Sequence, residues 1–113
     1  SRKEDRFTVI DTEKGNGALT HPIALLTADE ASLAGLLQGT NSTSNYLYTG
    51  ENQWLLSPAR FSGSAYPWSV GIDGSLYRNS TAASSRGARG VLNLNSNTDI
   101  IGTGTTSDPY KVI

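Results

Sequence analysis

The sequence predicts an α+β fold in which one short capped helix lies beside a twisted, mostly antiparallel sheet with long loops. Three observations lead there. Apolar residues come in short runs separated by Gly, Ser, Thr and Asn, and Ser, Thr and Asn side chains bond to nearby backbone and so compete with long helices. One stretch, Thr27-Ala28-Asp29-Glu30, carries a helix-start signature. Trp68, Val70 and Ile72 alternate at period two ahead of Asp73-Gly74, as in a strand entering a hairpin turn.

Taken in order, residues 1–6 are charged and are expected to form a disordered tail, with residues 7–113 as one globular domain. Phe7-Thr8-Val9-Ile10 is β-prone and ends at Asp11, before the flexible turn Gly15-Asn16-Gly17. Pro22-Ile23-Ala24-Leu25-Leu26 reads as a buried strand. In the next segment the Thr27 hydroxyl can accept from the Glu30 amide while the Glu30 carboxylate reaches back to the Thr27 amide. Asp29 and Glu30 also suit the positive end of a helix dipole. Ala28, Ala31, Leu33, Ala34 and Leu37 supply an apolar stripe, so a helix is predicted over 28–38, with Gly35 its weak point and Gly39 its stop.

After a polar loop, Tyr46-Leu47-Tyr48 and Trp54-Leu55-Leu56 read as two short strands, and Pro58 should interrupt pairing just beyond the second. Leu76-Tyr77 begins the return strand of the Asp73-Gly74 hairpin, and residues 79–87 form a small-residue loop. Residues 90–94 and Ile100-Ile101 are short strand candidates, residues 102–109 a turn, and Tyr110-Lys111-Val112-Ile113 a last strand.

Composition narrows the function classes. At 113 residues and 12.0 kDa the chain has the size of one independently folding unit. Its 36% hydrophobic residues and mean hydropathy of −0.34 are lean but sufficient for a core. A net charge of −1 and a pI near 5.7 leave no cationic excess to neutralise phosphates, so no nucleic-acid partner is expected. Arg78, Arg86 and Arg89 fall close together and read as solubilising charge. Cysteine and methionine are absent, which removes disulfides, zinc–thiolate sites and cysteine nucleophiles. No run of about 18 apolar residues is present. If the protein has an export signal or anchor, it is expected upstream of Ser1, with membrane contact only through such an N-terminal segment.

Catalytic chemistry finds little support. His21 is the single histidine and reads as a loop residue ahead of an apolar run. The acidic residues fall in the N-terminal segment (Glu4, Asp5, Asp11, Glu13), at the helix cap (Asp29, Glu30) and in turns (Glu51, Asp73, Asp99, Asp108), so none needs a catalytic pair to explain it. No enzyme activity, catalytic residue, metal ligand or cofactor is expected. Asn93, Asn95, Asn97 and Asp99 place oxygen donors at alternate positions, but a solvated loop explains them better than calcium does. Gly102-Thr103-Gly104 lacks the Lys-Ser/Thr pair of a phosphate loop. Asn41 and Asn79 head Asn-Ser-Thr sequons.

Aromatic residues are the remaining signal. Trp54, Phe61, Tyr66, Trp68 and Tyr77 gather in one stretch with Arg78, interleaved with Ser, Gly and Asn, a mixture typical of binding surfaces. Trp54 and Trp68 are assigned to the core. The ligand-contact candidates are Arg60, Phe61, Tyr66, Tyr77, Arg78 and Asn79.

The ordered set of Gly15-Asn16-Gly17-Ala18-Leu19-Thr20, Leu25-Leu26-Thr27-Ala28-Asp29-Glu30, Trp54-Leu55-Leu56-Ser57-Pro58, the 71–76 hairpin, residues 87–94 and the ending 102–110 resembles domains of exported proteins of Gram-positive bacteria, some of them pilin-like. The Trp-x-x-Ser-Pro segment, glycine hairpin and Gly-x-Arg sequence is similar to the latter half of C-type-lectin-like domains related to formylglycine-generating enzymes. The resemblance implies that scaffold without the catalytic cysteines, with Arg89 as a structural arginine near the core and the loops of residues 57–86 as a displayed face. Gly90 stands where the family usually has proline. The expected function is non-catalytic adhesion or ligand binding at the bacterial cell surface, with a host or cell-surface protein or glycan as partner. The alternative is the globular head of a type IV pilin-like filament subunit, whose partners are other pilin-like subunits.

Overall fold

The capping residues behave as their chemistry dictates. In the computed structural model, which describes residues 8–15, 17–105 and 107–113, Thr27 is the N-cap of helix α1, Ala28–Leu33. Its hydroxyl accepts from the Glu30 amide at 3.1 Å, and Glu30 Oε1 accepts from the Thr27 amide and hydroxyl at 3.3 and 2.8 Å. The helix is shorter than the predicted 28–38. Gly35 takes φ +104, in the left-handed region, and ends the helix four residues before Gly39. The apolar stripe breaks with it. Ala31 and Leu36 are fully buried, whereas Leu33 is 80% exposed and Leu37 also faces solvent.

Among the described residues seven strands accompany the helix: β1, Ala24–Leu25; β2, Gln53–Phe61; β3, Ala65–Val70; β4, Leu76–Tyr77; β5, Gly90–Val91; β6, Ile100–Ile101; and β7, Lys111–Val112. All their pairings are antiparallel, and they form three small ladders in the orders β2-β3-β4, β1-β5 and β6-β7. The result is a small α+β architecture dominated by sheet.

Several expected strands shrink or vanish for local reasons. Residues 8–10 form no strand, and Phe7 lies outside the described residues. Only Ala24 and Leu25 of the run 22–26 pair, half-buried, with Ile23 exposed. Tyr46 to Tyr48 form a turn because Asn45 competes for the backbone. Its side chain donates to the Ala34 carbonyl at 2.8 Å and accepts from the Leu47 amide at 2.9 Å, while its carbonyl accepts from Tyr48.

Pro58 does not end β2. It stands opposite Pro67, with register shifts on both sides. Two residues without an N–H can face each other only where the ladder lacks hydrogen bonds, so the pairing bulges around them and resumes at Arg60↔Tyr66.

The predicted hairpin is present with a longer loop. Val70 pairs with Leu76 and Ser69 with Tyr77, so Ile72 sits in the turn, exposed, and not in the strand. The Gly71 amide donates to the Ser75 carbonyl at 2.8 Å, and Gly74, at φ +79, donates to the Gly71 carbonyl at 2.9 Å. A Cβ on Gly74 would collide with the Ser42 carbonyl. That close approach lets the Ser42 amide reach the Asp73 carbonyl at 3.0 Å, docking the 39–44 loop on the turn.

The core is Ala31, Leu36, Leu55, Val70 and Leu76, with Leu26, Ala28, Leu47 and Trp68 packed against it. Along β2 the alternate residues Gln53, Leu55 and Ser57 point into it. The Ser57 hydroxyl accepts from the Ala28 amide at 2.9 Å, tying the first helical residue to the sheet. Thr27→Ala removes the acceptor for the Glu30 amide, and urea denaturation should show a loss of about 1 kcal/mol.

Candidate functional site

The three-stranded sheet has a second face, away from α1. Across β2-β3-β4, Trp54 pairs with Ser69 and Ser69 with Tyr77, so these three side chains stand in a row on one face. Arg86 lies over the row, its guanidinium 5.5 Å from the Trp54 ring centre and 5.4 Å from that of Tyr77. Ser69, between the rings, is fully buried. Arg86 Nη2 donates to the Ser80 hydroxyl, while Nε and Nη1 are buried without a hydrogen-bond partner. The ring faces supply electrostatic compensation for a cation whose hydrogen bonding is incomplete.

Loop 79–87 brings Arg86 there. The Ala82 amide donates to the Ala65 carbonyl at 2.8 Å, and the Gly87 and Trp54 amides exchange bonds with the Asn52 and Gly87 carbonyls, both at 2.9 Å. Beside Arg86, a cavity of about 250 Å³ is lined by Asn52, Gly71, Ile72, Asp73 and Tyr77. Asn52 Oδ1 accepts from the Ile72 amide at 2.9 Å, and Asp73 Oδ1 accepts from the Ser75 hydroxyl and amide at 2.7 and 3.0 Å. The hydroxyl first, then the amide, holds the Asp73 carboxyl below its ordinary value of 3.8.

Further along the sheet, the candidate contact residues divide. The Arg60 guanidinium stacks 4.3 Å above the Tyr66 ring, its partner across the β2–β3 ladder, and donates to Asn79 Oδ1 at 3.2 Å. Residues 19 positions apart in sequence thus converge on one face. Phe61, 78% exposed, follows Arg60 at the end of β2. A shallow groove of about 210 Å³ runs beside Arg60 and Tyr66 over Leu56, Pro58, Ala65 and Pro67. Arg78 is exposed. Tyr77, 37% exposed, belongs instead to the Arg86 stack.

Arg86 is the residue that sequence reasoning missed. It sits in a loop with no periodicity, and its partners are set by strand order. The resemblance assigned the structural role to Arg89, but Arg89 is exposed and Arg86 is the arginine packed against the sheet. Trp54 is half-buried on the second face, while Trp68 packs against the core as expected. His21 lies exposed in the loop before β1. Asn93, Asn95, Asn97 and Asp99 are exposed on an irregular segment turned by a Thr98 to Asn95 bond of 3.0 Å, so they do not share one face of a strand. Among the described residues no group of three or more His, Cys, Asp or Glu side chains could hold a metal ion, and no helix is long and apolar enough to cross a membrane.

Two predictions follow from this face. Arg86→Met keeps an apolar stem between the rings and removes the unpartnered nitrogens. Its urea midpoint should equal or exceed that of the wild type, whereas Arg86→Ala, which empties the space, should cost about 2 kcal/mol. For Asp73 the folded-state pKa is depressed, so its stabilisation is complete above the unfolded value of 3.8 and is lost as pH falls through the lower folded value. The stability gap between wild type and Asp73→Asn, followed by urea titration at each pH, should therefore be constant near neutrality and close in that acid range.

No protein-family model, curated protein or solved structure matches this chain.

Proposed function

We propose that the chain is a non-catalytic, C-type-lectin-like binding domain of a bacterial cell-surface protein, and that its contact face is the Arg60–Tyr66–Asn79 cluster with Phe61 and Arg78 at its margin. The observation that carries this reading is the convergence of Arg60, Tyr66 and Asn79 from three segments into one hydrogen-bonded, stacked cluster in which Arg60 and Asn79 are exposed. Aromatic and guanidinium groups held this way offer rigid contact area at low entropic cost, and Asn adds adaptable hydrogen bonding. The partner is a host or cell-surface protein or glycan met outside the cell.

A second reading, the head of a pilin-like filament subunit, draws on a different observation. Among the described residues strands β6 and β7 pair only with each other, and Ile100, Ile101, Tyr110, Val112 and Ile113 are all exposed there. An apolar hairpin of this kind suits packing against a second subunit.

A glycan and protein array screen of the purified domain separates the two. Saturable binding that Arg60→Ala and Phe61→Ala weaken at least tenfold is the expected outcome. Tyr77→Ala is a poor probe, because it also dismantles the Arg86 stack. An array without hits, or binding indifferent to both variants, would overturn the contact-face reading in favour of the filament subunit.

A further inference from the structure

A separate cleft opens where the sheets diverge. On the free edge of β2, the Trp54 amide bonds to the Gly87 carbonyl at 2.9 Å and the Leu56 amide to the Leu26 carbonyl at 2.8 Å. Between these two anchors the chain leaves β2 after Gly87 and joins β1, pairing Gly90 with Leu25 and Val91 with Ala24. The two neighbours on this edge thus belong to different segments, and a gap opens between them beside Leu55. The gap is a cavity of about 230 Å³, walled by Leu26, Leu47, Leu55, Val70 and Val91, with Tyr46, Gln53 and Trp54 also lining it.

Arg89 also lines it, on the stretch that crosses from one sheet to the other. The Gln53 amide in the wall is engaged by the Thr49 hydroxyl. No carboxylate lines the cleft, and Arg89 makes no ion pair or hydrogen bond among the described residues. Its guanidinium is permanently charged and presents a fork of donors suited to a carboxylate. An apolar cavity of roughly 150 Å³ accommodates benzene, so this one has room for a ring with a few further carbons.

We propose that this cleft binds a small hydrophobic carboxylate, with its apolar body among Leu26, Leu47, Leu55, Val70 and Val91 and its carboxylate on the Arg89 guanidinium. The lining decides the class. A cation would meet Arg89 with no counter-charge, and a sugar would find only Tyr46, Gln53 and Arg89 as polar partners among otherwise apolar walls, too few for its hydroxyls. A free acid and the terminal residue of a peptide share this chemistry. The cleft is distinct from the Arg60 face, so either reading can fail without the other.

The test uses the intact chain and two-dimensional NMR, with the Leu47, Leu55 and Val91 methyl groups as reporters. Titration with 3-phenylpropionate should shift these signals saturably, and the uncharged amide 3-phenylpropanamide should bind about tenfold more weakly. Arg89→Gln should bring the acid down to the affinity of the amide while leaving amide binding unchanged. Arg89 is exposed, so the same spectra will show the variant folded. A short peptide ending in a free phenylalanine carboxylate identifies the source: tighter binding than the free acid assigns a chain terminus, and weaker binding a free acid. Equal affinity for acid and amide, wild-type acid binding by Arg89→Gln, or no saturable shift at these reporters would overturn the proposal.

Discussion

The placing of α1 on β2 rests on the Ser57 hydroxyl. A helix begins with amides that its own turns cannot satisfy. Here the Ala28 amide is satisfied across the sheet by Ser57, a residue 2% exposed, and the Glu30 amide by the cap itself. The Leu56 amide to Leu26 carbonyl bond lies alongside and fixes the segment leading into the cap. Because the helix has only six residues, side-chain packing along its length offers little leverage, and its direction is set at this one end. From there Ala31 and Leu36 reach the sheet, and Leu36 supplies the largest fully buried side chain of the core.

Around that junction the interior is unusually polar. Thr27, Gln53, Ser57, Ser69 and Ser75 are buried alongside five apolar residues. Each polar group has a visible partner: Thr27 in the cap, Gln53 with Thr49, Ser57 with the helix, Ser69 with the Tyr77 carbonyl and Ser75 with Asp73. Buried hydroxyls cost little when bonded and much when not, so local hydrogen-bonding geometry holds together what a large apolar core would hold elsewhere. The exception is Arg86, where two aromatic rings stand in for missing acceptors. A sheet covered on one face by a helix and on the other by a stacked arginine keeps its strands fixed, and that rigidity lets Arg60, Tyr66 and Asn79 hold their arrangement at the surface.

The two proposed binding regions arise from different consequences of the same β2 strand. Its far end, beyond the paired prolines, carries Arg60 and Phe61 away from the core and presents them with Tyr66 on the exposed ladder. Its near end is bordered by segments that pair with it only in part, and the resulting gap is the apolar cleft beneath Arg89. A continuous neighbouring strand would have filled that gap. The transfer of residues 87–91 from β2 to β1 creates it instead.

By itself the sequence determined what depends on neighbours a few positions apart. The Thr27–Glu30 cap, the hairpin around Asp73-Gly74, the short pairs at Ile100 and Lys111, and the exposure of Arg60, Phe61, Arg78 and Asn79 all belong here, because capping, turn chemistry and period-two alternation act over short spans. Tertiary structure decided the rest. It made Gly35, the weak point already visible in the sequence, the stop in place of Gly39, with Asn45 reaching back to the Ala34 carbonyl. It carried β2 through Pro58, because Pro67 happens to stand opposite. It also chose Arg86 over Arg89 for the sheet, because Trp54 and Tyr77 become neighbours only once β3 lies between them. Each outcome turns on a partner distant in sequence, whose proximity no local pattern encodes.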